Sequence, residues 1–225
     1  MNKKQILSDE NSNFSQTALI QLLTAMQAAV GQLPPPMTTL IIRTYGKDPY
    51  LILISCLLSL RSRDAVTYPV SVALFEQATT PQAMVALPRH TIEAIIKPIG
   101  FYKRKAMILQ QVSQELIDRF NGQVPCDEQL LLSINHVGPK TAALVLGCAC
   151  DIPAICVDTH VHRIANHLGL VHTTAPAATE AALKKIVPRD WWIRLNYLFV
   201  VWGQNVCKPR SKECQCKTLL PKSQP

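Results

Sequence analysis

Residues 127–160 read DEQLLLSINHVGPKTAALVLGCACDIPAICVDTH, and they carry the clearest structural pattern in the sequence. Apolar residues recur at helical spacing up to Ile134, and a four-residue break follows at residues 135–138. A second helix is predicted to start at Pro139, because the fixed φ angle and missing N–H group of proline cost nothing in the first turn of a helix. The pattern therefore predicts a helix-hairpin-helix.

Such a hairpin is suited to bind phosphate. Its turn leaves the first backbone N–H groups of the second helix without helical partners, at the positive end of the helix dipole. These groups can hold a nucleic-acid phosphate without reading the base sequence. We therefore expect the turn residues His136 and Gly138 to contact DNA.

The rest of the chain also shows helical spacing of its apolar residues. About ten helices are predicted, and no stretch alternates apolar and polar residues over more than a few positions. Glycines and prolines fall between the helical segments, as at Pro34–Pro36 and Asn121-Gly122. The sequence therefore predicts an all-α protein.

The composition is typical of a folded, soluble protein. The chain has 225 residues, 48% hydrophobic and 17% charged, which is enough to bury a core. Its longest apolar run, Tyr50–Leu60, has 11 residues, whereas a membrane-spanning helix needs roughly 20. The polar start MNKKQILSDENSNFSQ lacks the apolar stretch of a secretory signal. These features predict a cytoplasmic protein with no membrane segment.

The positive charge is unevenly distributed. The formal net charge is +8, and from Lys184 onward nine basic residues face only two acidic ones. A second basic patch, KPIGFYKRK at residues 97–105, contains no acidic residue and interleaves Phe101 and Tyr102 with its cations. Cations mixed with aromatic rings are typical of surfaces that bind both phosphates and bases. The charge is what a nucleic-acid partner would require, and a solvated helix end explains the second patch equally well at this point.

Lys140 stands in the first turn of the second hairpin helix. A positive charge there faces the positive end of the helix dipole, at a cost of about 0.3–1 kcal/mol, so a purely structural lysine gains nothing. Two functional roles remain, an amine nucleophile or a cation that contacts phosphate. The residues alone do not decide between them.

Asp158 lies at the expected N-cap of the next helix, in the sequence VDTH (157–160). A carboxylate there accepts N–H bonds from the first turn, and capping alone would explain it. A carboxylate near a nucleophilic amine can also stabilise a developing positive sugar or take part in proton transfer. The two roles are compatible, because the cap holds the carboxylate in place.

Four segments together resemble the endonuclease III branch of the helix-hairpin-helix DNA glycosylases. They are LLSLRSRD (57–64), IKPIGFYKRKA (96–106), the block from HVGPKTA to VDTHVHR (136–163), and WGQNVCKPRSKEC (202–214). The resemblance runs from Asp48 to Cys214. It implies two helical lobes, a barrel at residues 42–152 that contains the hairpin (about 127–147), and a second lobe formed by residues 1–41 with 153–225.

The resemblance also implies roles for single residues. Lys140 matches the family lysine that attacks the sugar C1′ to form a Schiff base, and Asp158 matches the aspartate that assists it. When a damaged nucleotide is swung out of the duplex, other side chains fill the gap. By resemblance these would be Arg61 and the residues around the next turn, Ile99, Gly100 and Phe101.

The activity implied is that of a bifunctional DNA glycosylase and abasic-site lyase in base excision repair, acting on oxidised pyrimidines. The expected partner is double-stranded DNA with a damaged base or abasic site, the expected state is a monomer, and the chemistry requires no cofactor. Two alternatives stay open. One is a pyrimidine-dimer or mismatched-thymine glycosylase, and the other is a non-catalytic protein that binds damaged DNA.

The hairpin departs from the family pattern at one position. The family reads Leu-Pro-Gly-Val-Gly where this chain has Ile134-Asn135-His136-Val137-Gly138. If the first glycine needs a positive φ angle, His136 is costlier there, although histidine tolerates that conformation better than most residues. Weaker phosphate binding is one expected consequence.

The C-terminal cysteines depart further. The family binds a [4Fe–4S] cluster through four cysteines spaced C-x6-C-x2-C-x5-C, whereas this chain has only Cys207, Cys214 and Cys216 there. Three thiolates are an incomplete set. The open alternatives are no cluster, a cluster with a non-cysteine or exogenous fourth ligand, or another metal such as zinc completed by a histidine. In every case the basic residues of this loop are predicted to bind DNA: Lys208, Arg210 and Lys212. The remaining cysteines are predicted to be small core residues: Cys56, Cys126, Cys148, Cys150 and Cys156.

Overall fold

A computed structural model describes residues 14–209 and 215–219, apart from the side chain of Lys217. Within these ranges the chain is all-α, which confirms the predicted class. Short 3₁₀ turns lie at Arg189–Trp191 and Gln215–Leu219. The α-helices are α1 (Gln16–Val30), α2 (Met37–Tyr45), α3 (Pro49–Ser59), α4 (Asp64–Phe75), α5 (Pro81–Ala86), α6 (Arg89–Ile96), α7 (Tyr102–Phe120), α8 (Glu128–Leu132), α9 (Pro139–Ala149), α10 (Thr159–His167), α11 (Pro176–Ile186) and α12 (Trp192–Asn205).

Local sequence signals start many of these helices. An N-cap side chain accepts a backbone N–H of the first turn in five of them, through Ser15, Asp48, Thr80, Asp127 and Asp158. Proline occupies the first turn of α3, α5, α9 and α11, where its missing N–H is not needed. The helix starts are therefore set by residues close in sequence.

Two helices, α2 and α5, have weak signals in the local sequence. The sequence of α2, MTTLIIRTY, follows three prolines and is rich in β-branched residues, which have a lower helix propensity. The helix α5 has only six residues, too few to show a helical period. Both pack through buried residues such as Ile41 and Met84, so tertiary packing outweighs their weak local signals.

Buried hydrophobic residues form two separate clusters. The first contains residues of α2 to α9 and centres on α3, whose residues 50–58 are all buried. The second joins α1 to α10, α11 and α12, with Cys207 and Cys216 at its edge. The lobe boundaries of the sequence analysis stay a prediction. The boundary at residue 42 would cut α2, whose Met37 and Ile41 belong to the first cluster.

The most apolar helix is a core helix. With eleven residues, α3 is shorter than a bilayer core, and its apolar side chains pack within the first cluster. In the described part of the chain, no helix has both the length and the apolar character that crossing a membrane requires.

A disulfide joins Cys126 to Cys150, which corrects the expectation that both are small core residues. Cys126 precedes the N-cap of α8 and Cys150 follows α9, so the bond encloses the whole helix-hairpin-helix. Spacing along the chain did not indicate this pair, because 24 positions separate the two cysteines and only the antiparallel return of α9 brings them together. Closing a loop of this length stabilises a fold by about 3 kcal/mol.

Candidate active site

A cleft of about 1630 Å³ is lined by residues from both hydrophobic clusters, such as Met37 of the first and Tyr197, which packs against the second. Its lining contains more basic than acidic side chains. The acidic ones are Asp64, Asp151 and Asp158, and the basic ones are Lys47, Arg61, Arg63, Lys140, Arg194 and Lys208. A cleft with an excess of positive charge concentrates a polyanion at its mouth.

Lys140 and Asp158 face each other in this cleft. Lys140 Nζ lies 4.0 Å from Asp158 Oδ2, and the lysine side chain is 43% exposed while the carboxylate is 11% exposed. The other carboxylate oxygen, Oδ1, accepts the backbone N–H groups of His160 and Val161, each at 2.9 Å. Asp158 therefore caps α10 with one oxygen and presents the other to the amine.

Thiols surround the cleft: Cys56 and Cys156 are buried near Lys140, and the half-buried Cys148 lines the cleft near Lys47. Burial raises the pKa of the Cys56 thiol to about 12 and that of Cys148 to about 11, and it also raises the pKa of Cys156. These three groups are therefore uncharged near neutral pH. The Cys156 thiol donates to the backbone oxygen of Lys140 at 3.5 Å. Uncharged thiols pack the site without competing with Asp158 for the lysine ammonium.

Asp64 links the two sides of the cleft. Its Oδ2 accepts the backbone N–H of Met37 and the side-chain amide of Gln204, each at 3.0 Å. The carboxylate thus joins α4 to the start of α2 and to α12. This connection depends on the position of Gln204, 140 residues away in sequence, so local sequence does not reveal it.

His160 and Gly203 fix the start of α10 against α12. A Cβ atom on Gly203 would lie 2.4 Å from His160 Nδ1, so only glycine lets the imidazole pack this closely. Burial lowers the pKa of His160. Because His160 follows Asp158 by two residues, this contact helps to hold in place the Asp158 carboxylate that caps α10. Sequence reasoning did not assign either residue to the site.

The hairpin turn contains the predicted departure from glycine. His136 adopts φ 68°, the left-handed region, and its Nε2 lies 3.2 Å from Gln111 Oε1. Gly138 is the N-cap of α9 and supplies no capping side chain, so the first-turn N–H groups remain available to a phosphate. The turn therefore keeps the geometry that anion binding requires, at the conformational cost of a non-glycine residue.

Side chains of the long helix α7 form hydrogen bonds to the residues at the start of the hairpin turn. The Glu115 carboxylate accepts the backbone N–H and side-chain amide of Asn135, each at 3.0 Å, and pairs with Arg119. Arg119 also donates to the backbone and side-chain oxygens of Ser133. Burial acts to raise the pKa of Glu115, but the hydrogen bonds from Asn135 and Arg119 outweigh it and lower the pKa below its usual value.

Arg61 lies in a tight turn after α3. Its side chain is exposed and lines the cleft, and its backbone has φ 56°. The buried ammonium of Lys105 holds this turn by donating to the carbonyl oxygens of Leu58 at 2.6 Å and Leu60 at 2.7 Å. Burial lowers the pKa of Lys105 to about 8. Lys105 is thus not a surface cation of the 97–105 patch, as its sequence context suggested, but a support for the turn.

Replacing Lys105 by methionine tests this support. The change leaves two partly buried carbonyl groups without their charged donor, so we expect the free energy of unfolding to fall by about 2–4 kcal/mol. Lys103→Met, on the exposed side of the same helix, should change it by less than about 0.5 kcal/mol. Urea unfolding of the two variants and the unchanged protein measures the difference. Equal midpoints for all three would contradict the role of Lys105.

The two hydrophobic residues of the second turn have different positions. Phe101 is 66% exposed and adopts φ 59°, just before α7, with exposed Gly100 beside it. Ile99 is only 1% exposed and belongs to the first cluster. The Ile99 side chain therefore lies in the core in this structure, and its contact with DNA stays a prediction. Of the two hydrophobic side chains on this turn, Phe101 is the one exposed to solvent.

The C-terminal segment is described only in part. Lys208 is exposed and lines the cleft, whereas Arg210, Lys212 and Cys214 lie outside the described residues. Cys207 and Cys216 are buried, and their sulfurs lie within 4.8 Å of each other and of a ring nitrogen of His167. This Cys/His group could hold a metal ion. The sequence left open a metal completed by a histidine, and the fold brings His167 beside the two cysteines.

Comparison with known proteins agrees with this geometry. The family model described as HhH-GPD superfamily base excision DNA repair protein matches residues 54–189. Endonuclease III of Thermotoga maritima is 42% identical over 168 residues, which cover 75% of this chain and 79% of that protein. A solved non-covalent endonuclease III–DNA complex is similar with TM-score 0.80 at 30% identity, covering 92% of this chain and 95% of that one.

A second solved structure, a trapped endonuclease III–DNA covalent intermediate with an estranged adenine, is similar with TM-score 0.78 at 30% identity. The match covers 92% of this chain and 96% of that one. Sequence and structural similarity thus extend over most of both molecules. The chain belongs to the endonuclease III family of the HhH-GPD superfamily, and it is a DNA glycosylase of base excision repair.

Proposed function

We propose that this glycosylase is bifunctional, and that Lys140 both displaces the damaged base and starts strand cleavage through a Schiff base. The observation that carries the proposal is the distance of 4.0 Å between Lys140 Nζ and Asp158 Oδ2 in a basic cleft. A binding protein needs neither a half-exposed lysine at the N-terminus of a helix nor a carboxylate facing it. The covalent enzyme–DNA intermediate of the similar endonuclease III supports the same chemistry.

The duplex lies across the cleft in this proposal. The hairpin turn at residues 135–138 and Lys208 bind phosphates. The damaged nucleotide turns out of the base stack toward Lys140. Extrusion costs a few kcal/mol, less for a poorly stacked lesion. Arg61 and Phe101 occupy the gap from the two turns that present them on the surface, and stacking of an aromatic ring on a base offsets about 1–3 kcal/mol of that cost.

Base release begins at the amine. The neutral Lys140 amine attacks the sugar C1′ while the bond from C1′ to the base breaks, and the base leaves with the electron pair and takes up a proton. Asp158 Oδ2 stabilises the positive charge that develops on the sugar, and at 4.0 Å from the amine nitrogen it accepts the proton that the lysine loses through one bridging water. The nitrogen lone pair then forms a double bond to C1′ while the C1′–O4′ bond of the sugar ring breaks, O4′ takes up a proton, and an iminium between Lys140 and C1′ remains.

Strand cleavage follows from the same iminium. The positive nitrogen withdraws electrons and acidifies the C2′ proton. A proton acceptor removes that proton, and the bond between C3′ and its phosphate oxygen breaks. Water then hydrolyses the imine, which frees Lys140 and leaves an unsaturated aldehyde on the sugar fragment. One lysine thus serves as nucleophile and electron sink.

The preferred lesion is proposed from the family resemblance, as an oxidised pyrimidine. The test uses end-labelled duplexes that each contain one thymine glycol, thymine dimer, G·T mismatch or abasic site, with an undamaged duplex as control. We expect the thymine glycol duplex to be cleaved at least about 100-fold faster than the G·T duplex, and the abasic duplex to be cleaved as well. Fastest cleavage of the dimer or mismatch would identify the alternative glycosylase, and binding without cleavage would indicate a non-catalytic protein.

We also propose that the protein works as a monomer on chromosomal DNA in the cytoplasm. The cleft, the hairpin and the Lys140–Asp158 pair all belong to one chain, so no second copy is needed to complete the site. Light scattering of the protein on a short abasic duplex would reveal a dimer if one formed.

A further inference from the structure

Three side chains that commonly bind metals meet where the end of α10 lies beside the segment that follows α12. His167 is the last residue of α10, Cys207 lies two residues beyond α12, and Cys216 lies in the 3₁₀ turn at Gln215–Leu219. Their ligand atoms all lie within 4.8 Å of one another, and His167 Nδ1 is 3.9 Å from Cys207 Sγ. Residues far apart in sequence therefore converge on one point.

This group does not fit a [4Fe–4S] cluster. Such a cluster takes four cysteine thiolates in this family pattern, each on a different iron, so its ligand sulfurs are spread around the outside of the cluster. No cysteine follows Cys216 in the chain, and a histidine stands among the cysteines instead. The donor set and its small size both disagree with the family cofactor.

The same group fits a single tetrahedral ion. Around zinc, with bonds of about 2.3 Å to sulfur and 2.0–2.1 Å to nitrogen, ligand atoms stand about 3.5–3.8 Å apart. The spacing of the three atoms here is within about 1 Å of that arrangement. A tetrahedral ion held by these three atoms has one further position, which solvent can fill.

The two cysteines of the group are buried, His167 is exposed, and a hydrogen bond joins the cysteine segment to α10. Cys207 and Cys216 are 1% and 0% exposed, and a thiolate buried in this way is costly unless a positive charge compensates it. Arg163 stands one turn before His167 on α10, and its guanidinium donates to the backbone oxygen of Cys207. This bond fixes the start of the cysteine segment to the helix that carries the histidine.

We propose that His167, Cys207 and Cys216 bind one zinc ion, in place of the iron–sulfur cluster expected from the family. The ion joins the C-terminal end of α10 to the segment that begins with Cys207 and Lys208. Asp158 caps the other end of α10, about 13 Å away by the helical rise. The ion is therefore structural, because it holds the helix and the Lys208 segment without reaching the reacting sugar.

The test measures metal content and affinity in the full-length protein. The unchanged protein should contain about one zinc per chain by elemental analysis, with no visible iron–sulfur absorption after anaerobic purification. In competition with a chromophoric chelator, His167→Ala should bind zinc at least about 100-fold more weakly, since even residues that only orient a ligand contribute 10–100-fold. His172→Ala, an exposed histidine outside the group, should bind it within about threefold of the unchanged protein.

A second variant covers the case in which His167→Ala does not fold. His167→Cys keeps a ligand at the position, so it should retain zinc, and its cobalt form should show a stronger sulfur-to-cobalt absorption because one more thiolate binds. Iron and sulfide in cluster stoichiometry, no stoichiometric metal, unchanged zinc affinity of His167→Ala, or an unchanged cobalt spectrum of His167→Cys would each overturn the proposal. None of these readouts depends on glycosylase activity.

Discussion

Replacing Lys140 by alanine is expected to reduce strand cleavage at an abasic site by at least about 10³-fold, because loss of a covalent nucleophile removes the pathway itself. The fold should survive, since the lysine side chain is half-exposed and its charge is unfavourable at the start of α9. Single-turnover cleavage of a labelled abasic duplex, with enzyme in excess, measures the loss without interference from product release.

Lys140→Arg separates the two roles that the sequence left open. Arginine keeps a cation at the same place and still contacts a phosphate, but it stays protonated and forms no Schiff base. We therefore expect the arginine variant to bind the duplex with nearly unchanged affinity and to be as inactive as the alanine variant. Cleavage by Lys140→Arg within tenfold of the unchanged protein would show that Lys140 only contacts phosphate.

Asp158 gives the second large effect, and its two carboxylate oxygens allow capping and catalysis to be separated. Asp158→Asn keeps an oxygen that can accept the N–H groups of His160 and Val161, and asparagine is as good an N-cap as aspartate. It removes the negative charge that faces Lys140. We expect cleavage to fall by about 10²–10⁴-fold, while the free energy of unfolding changes by less than about 0.5 kcal/mol.

Asp158→Ala is the matched comparison, because it removes the charge and the cap together. It should be as inactive as Asp158→Asn and in addition lose about 1 kcal/mol of stability. Thermal unfolding and single-turnover cleavage of both variants give the four values required. An asparagine variant that cleaves as fast as the unchanged protein would reduce Asp158 to a helix cap.

The positions of Lys140 and Asp158 at the starts of two helices were predictable because their signals are local. Pro139 marks the start of α9 and Asp158 the start of α10, and the two residues lie within one stretch of the sequence that matches the family. The same holds for the all-α class, which follows from the period of the apolar residues. Features fixed by neighbours in sequence can be found from sequence.

Other features depend on which faces of distant helices meet. Ile99 and Phe101 are two positions apart and similar in hydrophobicity, yet one is in the core and the other is exposed. His167 lies 40 residues before Cys207, and only the packing of α10 against α12 brings them together. Lys105 reads as one cation in a basic patch until its bonds to the end of α3 are seen.

The two ends of α10 serve different functions in this account. Its first turn holds Asp158 toward Lys140, and its last residue belongs to the Cys/His group. Loss of zinc should therefore weaken DNA binding through the Lys208 segment more than it slows the chemical step on bound DNA. Titrations with an abasic duplex before and after chelation, each followed by single-turnover cleavage, separate these two effects.

In the proposed mechanism, Lys140 forms the covalent bond to the sugar. Borohydride trapping of the unchanged protein on an abasic duplex, followed by proteolysis and mass spectrometry of the cross-linked peptide, tests it most directly. We predict that the sugar remnant lies on Lys140, in the peptide that begins the helix after the hairpin. No adduct from protein that binds the duplex, or a remnant on another amine such as Lys47 or Lys208, would contradict the account.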